Sequence, residues 1–331
     1  MRRLFLAVVL VCACPPARAA DWELQRISAP ARVSDIETVN GQVRVKAGGL
    51  WYALKRDDGT VTLQFIDAPG QTKLPEGALP DGQVAIGQHD IARAWLAEPT
   101  DRYDHGILGD KVEAGALVIE TRDGRLQTLR LKNDAVFEDL KPRIVDLNGD
   151  GHDNIIVVKS YLKRGSALAV IVERKGRYMI IEETPPLGAP HRWLDPAGIA
   201  DFTGDHKTDI ALVRQPHVVG QLEIWTWRDN RLQKTLELPD VANHIAGSRA
   251  LDMVAVADFN GDNLADLAIP SLDRTRLRIM SFSPNIQELA SIALPAKAAT
   301  NIGLLKGVME PAVALGLADG SLVVVRRREA R

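Results

Sequence analysis

The chain has 331 residues, of which 46% are hydrophobic and 25% charged, so it has enough apolar side chains to bury a sizeable core. It has 41 basic against 43 acidic residues and no sustained basic run, so a nucleic-acid partner is not expected. No apolar stretch is long enough for a transmembrane helix.

The N-terminal residues show the three regions of a secretory signal peptide in their usual order. Arg2 and Arg3 precede an apolar run, Leu4 to Val11, and the small-residue cleavage pattern Ala17-Arg18-Ala19 follows. We therefore predict that residues 1–20 are a signal peptide and that the protein is exported, to the periplasm or beyond it. A buried N-terminal strand is the alternative interpretation of the apolar run.

Both cysteines, Cys12 and Cys14, lie in this segment. Cleavage after Ala19 or Ala20 leaves an exported chain without cysteine, which excludes disulfides, thiol catalysis and cysteine-ligated zinc. The stretch Val11-Cys12-Ala13-Cys14 is also an imperfect lipobox. A lipoprotein with its lipid anchor at Cys14 is therefore the alternative to a soluble exported protein.

Turn residues separate pairs of apolar runs at six places. These turns are Asp58-Gly59, Asp123-Gly124, Lys175-Gly176, Asp229-Asn230, Pro284-Asn285 and Asp319-Gly320. Such residues tolerate positive φ and are typical of β-hairpins. A Leu-Gln or Ile-Gln pair follows several of the turns, but Leu24-Gln25 has no turn before it. We predict that Trp22 to Ile27 is the last strand of a unit whose other strands lie in the tail, between Ile302 and Arg326.

An Asp-rich segment occurs three times in the second half of the chain. The first Asp loop, D-L-N-G-D-G-H-D-N, begins at Asp146; the second, D-F-T-G-D-H-K-T-D, at Asp201; and the third, D-F-N-G-D-N-L-A-D, at Asp258. Their first aspartates are 55 and 57 residues apart. Short apolar runs rich in β-branched residues flank each loop and predict buried strands.

A repeat of this length, with about four strands in each unit, predicts an all-β fold and a β-propeller. Six hairpin signals indicate about six four-stranded blades, and seven are possible if one unit lacks the signal. The N-terminal strand would close the ring by joining the last blade, and residues 21–331 would form one domain. A two-sheet β-sandwich or two β-domains are the alternatives.

The Asp loops have the donor chemistry of a calcium site. Side-chain oxygens at positions 1, 3 and 5, a tight turn at 4 to 6 and a carbonyl at 7 can wrap a hard cation. Position 12 is Val157, Leu212 or Ile269 rather than glutamate, so these are not EF-hands, and position 9 takes the closing role. Turns without metal are the alternative interpretation. The second loop is the weakest candidate, because Thr203 and His206 are poor choices at positions 3 and 6.

The pattern D-x-N-G-D-x-x-x-D between short strands resembles the FG-GAP/VCBS repeats of integrin-α-like β-propellers. The resemblance is clearest over residues 142–270. It implies structural Ca²⁺ held by side-chain oxygens, with a backbone carbonyl at position 7. The implied ligands are Asp146, Asn148, Asp150, His152 (carbonyl) and Asn154; Asp201, Thr203, Asp205, Lys207 (carbonyl) and Asp209; Asp258, Asn260, Asp262, Leu264 (carbonyl) and Asp266.

The sequence contains no nucleophile-elbow, metalloprotease or phosphate-loop motif. Asp104-His105 is the one pair that could be catalytic, and a surface loop is the simpler interpretation. We therefore expect a non-catalytic, calcium-binding propeller of the cell envelope that acts as a scaffold for a protein or glycan partner. The alternative is an enzyme that cleaves a polysaccharide or phosphoester at the propeller channel.

Overall fold

The computed structural model describes residues 22–57, 60–70, 73–306 and 310–328. The predicted signal peptide, both cysteines and the turn Asp58-Gly59 lie outside these residues. Within the described part, the chain forms 25 β-strands and no helix, which confirms the all-β prediction. No helix in this part is long and apolar enough to cross a membrane.

Four sheets each contain four antiparallel strands. The first is β2 (Val33–Val39), β3 (Gln42–Ala47), β4 (Leu50–Asp57) and β5 (Thr60–Ile66). The second is β15 (Leu194–Ala200), β16 (Asp209–Arg214), β17 (Gln221–Arg228) and β18 (Arg231–Leu238). The third is β19 (Ala255–Ala257), β20 (Asp266–Pro270), β21 (Arg276–Ser281) and β22 (Gln287–Ala293). The last is β23 (Ala298–Leu305), β24 (Ala312–Leu317) and β25 (Leu322–Arg327), with β1 (Trp22–Ile27) at its edge.

The pairing of β1 with the tail confirms the prediction made from Leu24-Gln25. The two strands run antiparallel, with Leu24 opposite Val325 and Ile27 opposite Leu322. The Glu23 carboxylate also accepts a bond from Arg326 Nε at 2.6 Å. The two ends of the described chain are thus joined in one sheet, in which β1 covers the edge of β25 and is itself the outermost strand.

The remaining strands form one nine-stranded sheet that the sequence did not predict. One part is β6 (Ala85–Ile86), β7 (Ile91–Thr100), β8 (Glu113–Thr121) and β9 (Leu126–Arg130). The other is β11 (Arg143–Val145), β12 (Asn154–Tyr161), β13 (Gly165–Arg174) and β14 (Arg177–Glu183). The short strand β10 (Ala135–Phe137) pairs with both β8 and β12 and so joins the two parts. Without β10, each part is a four-stranded antiparallel sheet like the others.

The core lies between neighbouring sheets rather than inside any one of them. In β12 and β16 nearly every residue is buried, whereas the outer strands β9 and β18 alternate between covered and exposed residues, as expected when a sheet is covered on both faces near its inner strands. Gly303 shows how close the sheets pack, because a Cβ there would lie 2.4 Å from Val43 Cγ1 of the first sheet.

The first strands of the units make several of the contacts between neighbouring sheets. Strand β23 contacts β2 and β19, β19 contacts β15, β15 contacts β12, and β11 contacts β6. The last sheet therefore lies against the first. All-β architecture with several four-stranded antiparallel sheets in this order is consistent with propeller blades.

Candidate metal centre

Each Asp loop joins the first and second strands of its sheet. The first loop lies between β11 and β12, the second between β15 and β16, and the third between β19 and β20. The strands predicted on either side of each loop are therefore present. Five of the six predicted turns also lie between paired strands, and the sixth, Asp58-Gly59, falls outside the described residues.

The aspartate at position 1 organises each loop by accepting backbone amides from positions 4 and 6. The N···O distances are 2.7 and 2.8 Å from Gly149 and Gly151 to Asp146, 2.7 and 2.9 Å from Gly204 and His206 to Asp201, and 2.6 and 2.8 Å from Gly261 and Asn263 to Asp258. Positions 4 and 6 have positive φ in all three loops, including 61° at His206 and 65° at Asn263. This explains the glycines, since few other residues adopt that conformation without strain.

The hydrogen bonds from the backbone amides also change the pKa of the Asp146 carboxyl. Burial opposes ionisation of Asp146, but the amides of Gly151 and Gly149 outweigh it and lower the pKa of the carboxyl. The carboxylate is therefore ionised and aimed at the turn before any metal is considered.

Positions 3, 5 and 7 form a second set of bonds. The position-5 carboxylates of Asp150, Asp205 and Asp262 accept the position-7 amides of His152, Lys207 and Leu264 at 2.8–2.9 Å. In the first and third loops the position-3 amide group also donates to the position-5 Oδ2, from Asn148 to Asp150 at 2.8 Å and from Asn260 to Asp262 at 2.9 Å. These Asn and Asp side chains therefore lie together.

Position 9 holds the loop from the start of the second strand. Asn154 Oδ1 accepts the amide of Leu147 at 2.9 Å, Asp209 Oδ2 that of Phe202 at 3.0 Å, and Asp266 Oδ2 that of Phe259 at 2.8 Å. One oxygen of the predicted closing ligand is thus used to hold the position-2 amide. Sequence reasoning missed this role, which is the same in all three loops.

The loops differ in the hydrogen-bond partner of the second carboxylate oxygen at position 9. In Asp209 it accepts the Thr226 hydroxyl at 2.5 Å. In Asp266, which is fully buried, Oδ1 has no hydrogen-bond partner among the described residues, although the Ser281 hydroxyl lies near enough to favour the ionised form. Burial, together with the Asp262 and Asp258 carboxylates, raises the pKa of Asp266 to about 6. A buried carboxylate oxygen without a partner is costly and suits a bound cation.

The second loop differs in how its charge is compensated. Arg228, at the end of β17, donates from Nη2 to Asp205 Oδ2. The Thr203 hydroxyl donates to Asp209 Oδ2 at 3.0 Å. This loop therefore carries a cationic side chain on one of its predicted metal ligands.

The donor set decides how well the residues fit a metal. Among the described residues, no three His, Cys, Asp or Glu side chains are grouped so that they alone could hold an ion. A metal here would need Asn and carbonyl oxygens as well, and an all-oxygen set of that kind suits Ca²⁺. The first and third loops fit this chemistry, and the second fits it poorly.

Asp153, next to the first loop, has a structural role that the sequence did not reveal. Its carboxylate is buried and accepts the amides of Gln88, His89 and Ile91 at 3.3, 2.8 and 3.1 Å. Its own amide donates to Asp90 Oδ1 at 2.7 Å. The first Asp loop is thereby fixed to the hairpin between β6 and β7.

A cluster of four of the seven histidines lies at the opposite end of the sheets from the Asp loops. His105 Nδ1 lies 2.5 Å from the buried Glu138 Oε1, and the His105 and His191 rings stack at 5.1 Å. Asp104 pairs instead with Lys111 at 2.8 Å on the surface. The Asp104-His105 pair of the sequence therefore does not act as a unit.

The other two histidines of the cluster, His217 and His244, are hydrogen-bonded to each other. His244 Nε2 lies 2.9 Å from the carbonyl of Ser248, which can only accept, so His244 Nδ1 is left to accept from His217 Nε2 at 2.9 Å. Burial lowers the pKa of both His217 and His244 to about 4. Both rings are therefore neutral at pH 7.

A polar cavity of about 980 Å³ lies between the first strands of several sheets. Two pairs of opposite charges lie in it: Lys141 Nζ binds Asp252 at 2.8 Å, and Asp35 faces Lys46. The cavity is also lined by Gln83, Arg249, Asn301 and Lys306. We call this space the channel cavity, after the predicted propeller channel.

Comparison with known proteins gives no family. No family model and no curated protein matches the chain, so the resemblance to FG-GAP/VCBS repeats stays a prediction. Among solved structures, BBS1N in complex with ARL6DN has a TM-score of 0.49 at 11% identity, over 94% of this chain and 97% of that one. The N-terminal domain of Nup159 gives 0.42 at 13%, over 95% and 98%. The exotype rhamnogalacturonan lyase YesX gives 0.38 at 13%, over 86% and 72%.

Proposed function

We propose that the protein is an exported, non-catalytic β-propeller of the cell envelope, stabilised by calcium, that serves as a scaffold for a protein or glycan partner. Its six blades are the five four-stranded units β2–β5, β6–β9, β11–β14, β15–β18 and β19–β22, and a sixth made of β23–β25 with β1. The contact of β23 with β2 and the pairing of β1 with β25 support this closed arrangement.

The single observation that carries the calcium proposal is the buried Oδ1 of Asp266, which has no hydrogen-bond partner among the described residues. The loop is already folded by its own amide bonds, so a cation has only to supply positive charge. Asp258, Asn260, Asp262 and Asp266 would hold it in the third loop, and Asp146, Asn148 and Asp150 in the first. Calcium would neutralise the carboxylates and tie the first strand of the sheet to the second.

Thermal unfolding in EDTA and in millimolar CaCl2 tests this proposal. Free calcium at one hundred times the Kd adds about 2.7 kcal/mol of stability per site, so the wild type should unfold several degrees higher with calcium. Asp258→Asn should lose much of that gain. Asp67→Asn is the matched control, because Asp67 is exposed and makes no ion pair among the described residues. Equal melting temperatures for the wild type in both buffers would refute structural calcium.

The channel cavity supports the alternative, an enzyme that cleaves an envelope polysaccharide or phosphoester. Its volume lies in the range of ligand pockets, and it offers a carboxylate and an amine in contact, Asp252 and Lys141. Turnover of a polysaccharide and phosphoester panel, lost in Asp252→Asn but kept in Asp258→Asn, would favour this alternative. A partner recovered from the envelope with calcium present, and no turnover, favours the scaffold.

A further inference from the structure

We infer that the second Asp loop does not take calcium, because the guanidinium of Arg228 supplies the positive charge there. This inference rests on the proposed calcium binding of the other two loops. It divides three similar sequence motifs into two metal sites and one loop that carries its own cation.

The hydrogen bonds of the position-5 carboxylate show how Arg228 takes the place of a metal ion. In the first and third loops its Oδ2 accepts a bond from a neutral Asn side chain at position 3. The second loop has Thr203 at that position, and its hydroxyl is bound to Asp209. The same Oδ2, that of Asp205, accepts instead from Arg228. An Asn side chain can turn to offer its oxygen to an ion, whereas a guanidinium has five donors and no acceptor and is repelled by one.

The other ligands of the second loop are also taken. Both oxygens of Asp209 are hydrogen-bonded, to Thr226 and to Phe202 and Thr203, whereas the equivalent Asp266 keeps one oxygen without a partner. A calcium ion in the second loop would therefore have to displace Arg228, without gaining a free carboxylate oxygen at position 9.

The chain supplies a matched control for Arg228. Arg174 occupies the same place in β13, one residue before the hairpin turn, yet its side chain makes no hydrogen bond or ion pair within the described residues. Arg228 is 42% exposed and is nevertheless held on Asp205. Replacing each arginine by methionine changes the charge equally and keeps the apolar stem, so the two variants differ only in the bond that is lost.

Calcium stoichiometry and thermal unfolding test the inference together. By equilibrium dialysis at millimolar calcium, the wild type and Arg174→Met should bind two ions per chain. Arg228→Met should melt about 1–2 °C below Arg174→Met in EDTA, and calcium should recover the loss through a third bound ion. Three ions on the wild type would overturn the inference, as would equal melting of the two variants in EDTA.

Two further outcomes are distinguishable. If the wild type binds no calcium, the proposed function fails, and the comparison of the two variants in EDTA still decides whether Arg228 stabilises the loop. If Arg228→Met does not fold in either buffer, the double variant Asp205→Asn/Arg228→Met removes both charges. The inference requires the double variant to fold without calcium, and its failure to fold would overturn it.

Discussion

Asp266→Asn removes a buried negative charge from the third Asp loop and can keep the hydrogen bond that holds the loop. Asn154 occupies the same position in the first loop and accepts the amide of Leu147 through its Oδ1. An Asn at 266 can accept the amide of Phe259 in the same way, and its amino group can donate to the Ser281 hydroxyl nearby. The substitution therefore tests the charge separately from the shape of the loop.

The size of the effect follows from the pKa. Burial raises the pKa of Asp266 from its ordinary 3.8 to about 6, a difference that corresponds to about 3 kcal/mol between the neutral and ionised forms. Because the folded pKa lies above the unfolded one, the stability linked to this group is complete below about pH 4 and is lost as pH rises through 6. In metal-free protein at pH 7, Asp266→Asn should therefore be more stable than the wild type by up to about 3 kcal/mol.

Urea unfolding of both proteins in EDTA, at several values between pH 4 and pH 7, measures the difference. The stability advantage of Asp266→Asn should be near zero at pH 4 and largest at pH 7. Calcium should reduce this advantage, because only the wild type has a negative charge at position 266 for the ion to neutralise. The reasoning is wrong if the variant is less stable than the wild type at pH 7, or if the difference does not change with pH.

Two further predictions concern residues outside the loops. Asp153→Ala leaves three backbone amides without their acceptor and should cost about 3 kcal/mol or more in urea unfolding, whereas Asp153→Asn, which keeps one oxygen, should cost less; an equal loss in both variants would contradict this account. The folded pKa of His244 lies near 4, below its ordinary 6.5, so the stability due to its neutral ring is present above pH 6.5 and is lost as pH falls toward 4. His244→Gln should flatten this part of the stability–pH curve, and an unchanged slope would count against it.

The features that the sequence predicted well are local ones. Apolar runs bounded by turn residues gave the strands on either side of Asp146, Asp201 and Asp258, since both the strand signal and the turn signal lie within a few residues. The repeat supplied one long-range contact, because the orphan pair Leu24-Gln25 matches the last strand of a unit and has no such unit before it. Pairing of β1 with β25 follows from that comparison rather than from any local propensity.

The features that the sequence did not predict depend on residues that are distant in the chain. Strand β10 has only three residues and forms because Phe137 meets Ala114 and Lys159 at the junction of two units. The contact of His105 with Glu138 spans 33 residues, and nothing near Asp104 indicates it. Arg228 lies 23 residues from Asp205, so its role becomes visible only once the hairpin is placed beside the loop.

The same backbone fold of the three Asp loops therefore coexists with three different charge arrangements. The amide bonds to positions 1 and 9 shape each loop whether or not a cation is present, so the motif can lose its metal without losing its fold. The third loop has carboxylates at positions 1, 5 and 9, the first has an Asn at position 9, and the second has Arg228 on its Asp205. Attraction for a divalent ion rises with the number of uncompensated carboxylates, so calcium affinity should fall from the third loop to the first and be lowest in the second.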